Sequence, residues 1–274
     1  MIIPLFELIL SPDSSLKDDE HPSKSWGFYD LLLYFMVPVQ YVLLIFYLYT
    51  ITTVQLQTYE IIGMTLSMGI QSGAVGINVA HELGHRKSRF DRFLAKSLLL
   101  SSLYMHFIIE HNRGHHKNVA TPQDPATARL DEPVYFFWFR SIIGTFISAW
   151  KIEQGLQKKK HGSTFTFYNE MIQLISIESL FLLSIYLLFG WIGLIGFLTS
   201  SIIGIILLET VNYIEHYGLL RNKISDSAYE RVQDIHSWNS DHLLGRYLLF
   251  ELTRHSHHHE NSLKTYSELQ SKEK

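Results

Sequence analysis

Four short histidine-rich stretches organise this sequence: HELGH at residues 81–85, EHNRGHH at 110–116, NYIEHYG at 212–218 and RHSHHH at 254–259. In an α-helix, residues three or four apart lie on one face. The histidines that this spacing predicts on a common face are His81 with His85, His111 with His115, and His255 with both His258 and His259.

Two pairs of these histidines are adjacent in the chain. Neighbouring residues of a helix diverge by about 100°, so His115 and His116 can reach different metal ions, as can His258 and His259. Imidazole is the commonest protein ligand for zinc, iron, copper and nickel. Because the histidines are too many for one tetrahedral ion, we interpret the clusters as a dinuclear metal site.

The composition excludes several kinds of protein. The 274 residues include no cysteine, which excludes disulfides, iron–sulfur clusters and thiolate-ligated haem. The formal net charge of −3 shows no basic excess of the kind that indicates binding to nucleic acid. Any electrons that a metal site consumes must therefore come from a separate carrier.

Four apolar runs are long enough to cross a bilayer, which needs about 20 residues: 29–49, 59–80, 171–189 and 191–208. The apolar opening 1–10 is too short to cross. We therefore expect an all-α integral membrane protein with four complete transmembrane helices, a partial N-terminal one and a cytoplasmic helical cap that carries the histidine clusters. No domain linker is evident, so residues 1–274 are predicted to form one domain.

The distribution of charge predicts the orientation. Every lysine and arginine lies in 11–28, 81–162 or 217–274, so the positive-inside rule places these segments and all four clusters in the cytoplasm. The apolar stretch 93–109 is interpreted as interfacial or re-entrant, because crossing would put the first two clusters on opposite faces of the membrane. The polar stretch 261–274 is expected to fray.

At the histidine clusters the sequence resembles the membrane alkane 1-monooxygenases, within the wider membrane fatty-acid desaturase and hydroxylase group. The wider group's pattern is HxxxH, then HxxxHH or HxxHH, then HxxHH. Features closer to the alkane hydroxylases are NYIEHYGL at 212–219, HSWNS at 236–240 and ATPQDPA at 120–126. The aryl-methyl (xylene-type) monooxygenases are similar over much of this pattern.

This resemblance implies a non-haem di-iron centre held by nine histidines: His81, His85, His111, His115, His116, His216, His255, His258 and His259. At His257 the family usually has aspartate, and His257 is not expected to be a ligand. Seven further residues are candidates for supporting the ligands: Glu82, Glu110, Asp124, Glu215, His106, His236 and His242. Direct ligation by His106, His236 or His242 stays open, and Glu82 is equally well explained as an ordinary surface charge.

The resemblance further implies hydroxylation of the terminal methyl group of n-alkanes, with O2 as co-substrate. Electrons would come from rubredoxin and its NAD(P)H-dependent reductase, and the enzyme would lie in a bacterial-type inner membrane. The alternatives are a xylene-type monooxygenase, a fatty-acyl desaturase or hydroxylase, and a metal-binding membrane protein without catalysis. The last is disfavoured as a transporter, because transporters place their ligands near the membrane midplane.

Two stripes of small residues follow the run 59–80. A substrate path is the hypothesis for the first stripe, which ends at His81: Gly63, Ser67, Ile70, Ala74 and Ile77. The second stripe, Gly69, Gly73 and Gly76, is favoured as a helix-packing surface, and packing is also an alternative for the first. Glu178, inside an apolar run, is a functional candidate by default.

The opening 1–10 resembles the end of the second membrane span of the alkane hydroxylases, which have six spans. The chain is therefore expected to be truncated at the N-terminus relative to that family, and short at the C-terminus. The helices expected before residue 1 would cover apolar surface on their neighbours.

Overall fold

The computed structural model describes residues 27–226 and 228–271, and this part of the chain is mostly helical. The helices are α1 (Phe28–Thr53), α2 (Thr58–Gln71), α3 (Asn78–Gly84), α4 (Arg89–Leu100), α5 (Phe107–Glu110), α6 (His116–Asn118), α7 (Val134–His161), α8 (Glu170–His216), α9 (Leu243–Leu248) and α10 (His255–Glu260). Two π-helical segments, Ser72–Ile77 and His111–His115, join α2 to α3 and α5 to α6. Strands β1 (Lys223–Ser225) and β2 (Ala228–Tyr229) form a small antiparallel sheet. The partial span predicted at 1–10 lies outside the described residues.

Two helices of the described chain, α1 and α8, are long and apolar enough to cross a membrane. The longer one, α8, folds back on itself at Gly190, whose backbone has φ 64° and ψ −166°. The rings of Phe181 and Phe197 would lie about 24 Å apart along a straight helix, yet their centroids are 5.5 Å apart. α8 therefore consists of two antiparallel helices, at the position where the sequence predicts the runs 171–189 and 191–208.

The second predicted run, 59–80, is helical from its start into the first histidine cluster. α2, the π-helical segment Ser72–Ile77 and α3 follow one another without a gap. This helix packs closely on the second half of α8, because a Cβ atom at Gly73 would lie 2.7 Å from the carbonyl oxygen of Gly204. Gly69 is similarly close to Ile203, and Gly76 to Gln40. The second small-residue stripe therefore serves helix packing, as predicted.

The first stripe faces a different environment. Gly63, Ser67 and Ile70 are exposed, and a Cβ atom at Gly63 would meet no atom of the described residues within 4 Å. Ala74 is half-buried, and Ile77, close to α3, is fully buried. Helix packing therefore does not account for the first half of this face.

The stretch 93–109 does not form one long helix. α4 ends at Leu100 after 12 residues, about 18 Å, which is short of the roughly 30 Å of a bilayer core. The chain then turns at Leu103, which has φ 53°. Glu178 accepts a 2.9 Å hydrogen bond from the backbone N–H of Met105 in this turn. Glu178 therefore satisfies a backbone group that would otherwise be costly to bury.

A polar cap of short elements follows α8 and holds α10. The buried guanidinium of Arg254 forms a 3.0 Å ion pair with Asp241 and donates a 3.0 Å hydrogen bond to the carbonyl of Leu269. The hydroxyl of Ser271 donates to the same Asp241 carboxylate. Leu269 and Ser271 are buried, so the expectation that this stretch frays is wrong for residues 261–271. It is held because a buried arginine needs the partners that the stretch supplies.

Gly190 provides a test of the reversal in α8. Its combination of positive φ and extended ψ is essentially restricted to glycine, and other residues there cost about 1–3 kcal/mol. We expect Gly190→Ala to lower the midpoint of thermal unfolding in detergent. The matched control is Gly155→Ala, at an exposed position within α7, which is expected to be neutral or stabilising. Equal midpoints for Gly190→Ala and the unmodified chain would contradict the reversal.

Candidate metal centre

Each histidine cluster lies at or beside a helix end, and the ends converge. His81 lies in α3 and His85 follows it directly, while His216 is the last residue of α8. The second cluster occupies the π-helical segment His111–His115 and the start of α6. The fourth occupies α10. Because these elements are separate in sequence, the fold is what brings their side chains together.

The nine histidines that the family resemblance proposes as ligands form two groups. The first group is His81, His85, His111, His116 and His258, and the second is His115, His216, His255 and His259. In each group, one ring nitrogen from every member lies within 4.8 Å of the corresponding nitrogen of the others. The groups are neighbours, since the ring centroids of His116 and His259 are 4.5 Å apart.

A π-helical turn determines how the second cluster is divided. Nε2 of His111 lies 3.0 Å from Nε2 of His116, five residues later. A π-helix places residues five apart over one another, whereas an α-helix does so at a spacing of four. His111 and His115 stack with ring centroids 5.1 Å apart, but they belong to different groups. His111 and His115 do lie side by side, as helical spacing predicts, but His111 shares its group with His116 and not with His115.

α10 divides three of its four histidines, His255, His258 and His259, between the groups by ordinary helical geometry. Nε2 of His259 lies 2.8 Å from Nε2 of His255 in the second group. Nε2 of His258 lies 3.2 Å from that of His116 in the first group. His255 and His258 lie side by side, with ring centroids 5.7 Å apart, as the common-face prediction has it, but they belong to different groups. The adjacent pairs His115–His116 and His258–His259 do each contribute to both groups, as the 100° divergence predicts.

The donor set fits a metal ion. Burial, and then the neighbouring imidazoles, lower the pKa of His81, His111 and His258 well below the ordinary value. Burial lowers the pKa of His85 to about 3. These rings are therefore neutral near pH 7, and neutral imidazole offers a lone pair to a metal. A site of nitrogen donors suits zinc, iron, copper or nickel, whereas magnesium and calcium prefer oxygen.

Asp124 orients His115. Its Oδ2 lies 2.9 Å from Nδ1 of His115, which leaves Nε2 of that ring directed at the second group. Burial opposes a charge on His115, but the Asp124 carboxylate raises the pKa of the imidazole above its ordinary value. In turn, His115 lowers the pKa of the buried Asp124 carboxyl. A metal ion on Nε2 would satisfy the same preference for positive charge.

The other candidate carboxylates differ in their contacts. Glu110 accepts a 3.1 Å hydrogen bond from Ser148, and burial and Asp124 raise its pKa to about 8. An oxygen of Glu215 lies 3.3 Å from Nε2 of His255, at the second group. Glu82 is buried and pairs with Arg86 at 3.3 Å, so it is not the ordinary surface charge that was one explanation for it.

The remaining candidate histidines lie outside both groups. His106 packs between the rings of Tyr104 and Phe146. His236 accepts a 2.9 Å hydrogen bond from the backbone N–H of Gln233, and its neighbour Ser237 lies 3.4 Å from Nδ1 of His216. His242 precedes α9 as its N-cap residue. These positions are consistent with supporting roles.

His257 also stays outside the two groups. Its Nδ1 accepts a 2.8 Å hydrogen bond from the backbone N–H of Gln270, and its Nε2 lies 3.1 Å from Nζ of Lys264. The ring therefore holds the segment that follows α10. Both partners are donors, so an aspartate at this position could accept from the same groups.

One buried acid was missed by sequence reasoning. Glu209 accepts hydrogen bonds from the hydroxyls of Tyr104 at 2.7 Å and Ser141 at 2.6 Å. It is 1% exposed and precedes His216 by seven residues on the same helix. Residues seven apart lie on one helical face, and an acid near the end of an apolar helix is a functional candidate. The spacing of seven residues from His216, together with an acid near the end of an apolar helix, could have identified Glu209 from the sequence.

Known proteins resemble this chain over most of its length. Residues 58–272 match the family described as fatty acid desaturase. The chain is 38% identical to an alkane 1-monooxygenase of Pseudomonas putida over 270 residues, which are 98% of this chain and 67% of that protein. It is 39% identical to an alkane 1-monooxygenase of Ectopseudomonas oleovorans over 269 residues, 97% of this chain and 67% of the relative. The xylene/toluene monooxygenase hydroxylase component of Pseudomonas putida is 28% identical over 249 residues, with coverages of 88% and 65%.

The chain belongs to the fatty acid desaturase family, a family of membrane metalloenzymes, as its sequence resemblance predicts. Within that family its similarity is to the alkane 1-monooxygenases, and the chain is an oxidoreductase of that type. It spans about two thirds of the length of the two alkane 1-monooxygenases described above.

The contact between Asp124 and His115 predicts a measurable effect on metal affinity. Asp124→Asn removes the charge that fixes the His115 ring, and loss of such a partner typically costs about 10- to 100-fold in affinity. Competition with a chelator would measure this change. Asp131→Asn is the matched control, because Asp131 is exposed and asparagine tolerates its positive φ of 62°. An unchanged affinity in Asp124→Asn would remove Asp124 from this role.

Proposed function

We propose that this protein is a membrane non-haem di-iron monooxygenase that hydroxylates the terminal methyl group of n-alkanes to give 1-alkanols. The observation that carries the proposal is the division of nine buried or half-buried histidines into two adjacent groups. One group of five and one of four give each of two ions its own set of nitrogen donors. Iron is favoured over zinc because the relatives are monooxygenases, and zinc has no redox chemistry.

The ligands assigned to the two ions follow the grouping. His81, His85, His111, His116 and His258 would hold one ion, and His115, His216, His255 and His259 the other. When bound, the two iron ions would supply the activation of O2 for which no protein side chain is suited. Hydroxylation places one oxygen atom in the alcohol and releases the other as water, which consumes two electrons and two protons.

The acidic residues next to the proposed ligands orient the imidazoles and influence the charge of the site. Asp124 fixes the tautomer of His115 by accepting from Nδ1, so that Nε2 stays a donor to the metal. Without a bound ion, burial and Asp124 raise the pKa of Glu110 to about 8 and favour its neutral form, and a nearby metal ion would favour the carboxylate. Glu215 lies 3.3 Å from Nε2 of His255; burial raises the pKa of its carboxyl well above the ordinary value, and a bound cation would favour the carboxylate form. His106, His236, His242 and Glu82 are proposed to support the surrounding structure.

An apolar substrate can approach the histidines along the membrane. The face Gly63, Ser67, Ile70, Ala74 and Ile77 leads along the helix towards His81. Its first half is exposed and free of close helix packing, and its last member is buried beside the centre. We propose this face as one wall of the substrate path. Burial of the ligands would exclude water from the reacting methyl group.

Alkanes are favoured over the alternative substrates by the degree of similarity. The two alkane 1-monooxygenases described above are 38% and 39% identical to this chain, against 28% for the xylene/toluene relative. Electrons would come from rubredoxin and an NAD(P)H-dependent reductase, since the chain has no cysteine for an internal carrier. A metal-binding protein without catalysis is disfavoured by the enzymatic relatives.

The proposed topology has four complete spans in a bacterial-type inner membrane. These are residues 29–49 within α1, 59–80 within the helix 58–84, and 171–189 and 191–208 in the two halves of α8, with the histidine groups on the cytoplasmic side. The distribution of lysine and arginine supports this orientation. The length and composition of α1 and α8 identify them as candidate spans. The span at 59–80 is proposed because α2, the π-helical segment and α3 form one continuous helix, and α8 supplies two spans because it reverses at Gly190.

The proposed activity is tested with the full chain, rubredoxin, its reductase, NADH and octane. We expect 1-octanol and about two iron ions per chain. His81→Ala, His115→Ala and His258→Ala should abolish product and lower bound iron, because each removes a proposed ligand. His257→Asp is the control and should retain activity, since aspartate can accept from Lys264 and Gln270.

The outcomes separate the alternatives. Product from toluene or from a fatty-acyl substrate, with none from octane, would replace the alkane assignment. Full activity in any of the three alanine variants would remove that histidine from the ligand set. Bound zinc without iron, together with no oxidised product, would overturn the monooxygenase proposal.

The topology predicts the behaviour of reporter fusions. A phosphatase that is active only outside the cytoplasm should be active when fused after residue 54 and inactive when fused after residue 110. Fusion after Gly162 is the matched control, because the chain there is proposed to lie on the same side as residue 110. An active phosphatase at 110 would contradict the common location of the histidine clusters.

A further inference from the structure

A basic cavity lies beside the first histidine group. Its volume is about 650 Å³, and it is lined by the end of α3, by α4, by the region around α5 and by the loop after α10. Six cationic side chains contribute to it: Arg86, Lys87, Arg89, Arg92, Lys96 and Arg113. Among the lining residues that the structure describes, the one carboxylate is that of Glu170.

Three of these cations already have acidic partners. Arg86 pairs with Asp30 at 2.8 Å, Lys96 with Glu170 at 2.6 Å, and Arg113 with Glu153 at 3.3 Å. These pairs fix the wall of the cavity and leave little charge for a ligand.

The other three cations are uncompensated. Within residues 27–226 and 228–271, Lys87, Arg89 and Arg92 form no ion pair, and all three are exposed. They follow one another around the start of α4, so their charges add at one end of the cavity. An anion would be attracted there, and arginine in particular binds phosphate through paired N–H donors.

Apolar side chains also line the cavity. Ile108 and Ile109 are buried in its wall, while Phe93 and Leu263 are 63% and 67% exposed. Exposed rings and aliphatic groups beside unpaired cations suit a ligand that has both an anionic group and hydrocarbon.

The contacts of α4 with α1 indicate how the cavity is oriented. Tyr34 of α1 donates a 2.7 Å hydrogen bond to Asp91 near the start of α4. Tyr41, about two turns further along α1, donates a 2.7 Å hydrogen bond to the carbonyl of Ser97 near its end. If α1 crosses the membrane as proposed above, α4 enters obliquely, with its cations at headgroup depth and its apolar end deeper.

We propose that this cavity binds one anionic phospholipid, with its phosphate against Lys87, Arg89 and Arg92 and its acyl chains over Phe93 and Leu263. Lys87, Arg89 and Arg92 precede Phe93 in the chain, so along α4 the charged residues come before the apolar ring, in the order of headgroup and acyl chains in a lipid. A concave site of this volume accommodates a headgroup, whereas an acidic protein would dock on a broader surface. His85 also lines the cavity, so the bound lipid would cover an open edge of the first histidine group.

The test is equilibrium binding of phosphatidylglycerol and phosphatidylcholine to the full chain, purified in a neutral detergent. The unmodified chain should prefer phosphatidylglycerol. The triple variant Lys87→Gln, Arg89→Gln, Arg92→Gln should weaken that binding by about tenfold or more, since each basic residue near an anionic lipid contributes severalfold. Phosphatidylcholine binding should stay unchanged and so report that the variant is folded.

The chain contains a matched control for the loss of three charges. Lys158, Lys159 and Lys160 are adjacent and exposed at the end of α7, outside the cavity lining. Their triple substitution by glutamine should leave phosphatidylglycerol binding within about twofold. Equal weakening by both triple variants, or by neither, would overturn the proposal.

Two further experiments distinguish a bound lipid from free phosphate and from a protein partner. Inorganic phosphate should displace the lipid only at far higher concentration, and equal competition would make this a site for free phosphate. An acidic electron-carrier protein is the other test ligand. If the α4 triple variant impairs electron transfer from it while lipid binding is unchanged, the surface is a protein dock and the lipid proposal is wrong. Because lipid binding is measured without turnover, its failure leaves the proposed hydroxylation untouched.

Discussion

The structure depends on the convergence of imidazole nitrogens inside the protein. Nε2 atoms of different histidines approach to between 2.8 and 3.2 Å. Burial keeps most of these rings neutral, and each neutral ring has a lone pair on one nitrogen. Because the fold brings these nitrogens together, a shared cation would be attracted by every ring. Metal binding and folding are coupled in sites of this kind, because the unfolded chain offers no comparable arrangement. The helix ends, the π-helical turn and the polar cap all serve to maintain this convergence.

The acids around the second group complete the electrostatics. Asp124 orients His115, Glu215 lies beside His255, and Glu209 is held by two hydroxyl donors within the helix bundle. Burial disfavours the charged form of all three carboxyl groups, and their neighbours compensate for this cost to different degrees. Without a bound ion, the His115 imidazole lowers the pKa of Asp124, whereas burial and Asp124 raise the pKa of Glu110 to about 8. The protein can therefore balance an ion at this group without placing many full negative charges in the interior.

Helical spacing and adjacency led to the two-ion interpretation, and the family resemblance implied the nine histidines that the structure brings together in two groups. The sequence could not predict which histidine joins which group. The i,i+5 pairing of His111 with His116 arises from a π-helical turn that leaves no clear mark in the residues. Glu178 and Glu209 illustrate the same limit. Both are acids in apolar helices, yet their partners, the Met105 backbone and the Tyr104 hydroxyl, come from distant parts of the chain. The packing role of Gly69 and Gly73, by contrast, was readable, since small residues at this spacing commonly allow close helix approach.

The anchoring of the residues after α10 has a practical consequence for handling the protein. Arg254 precedes three of the proposed ligands and is fully buried. Its partners are Asp241 and the carbonyl of Leu269, and His257 contacts Lys264 and Gln270. The carboxyl-terminal stretch is therefore part of the framework of the metal centre and not a neutral appendage. Affinity tags or fused domains joined closely after it would pull on the helix that carries His255, His258 and His259, so a generous flexible spacer is the sounder choice for purification.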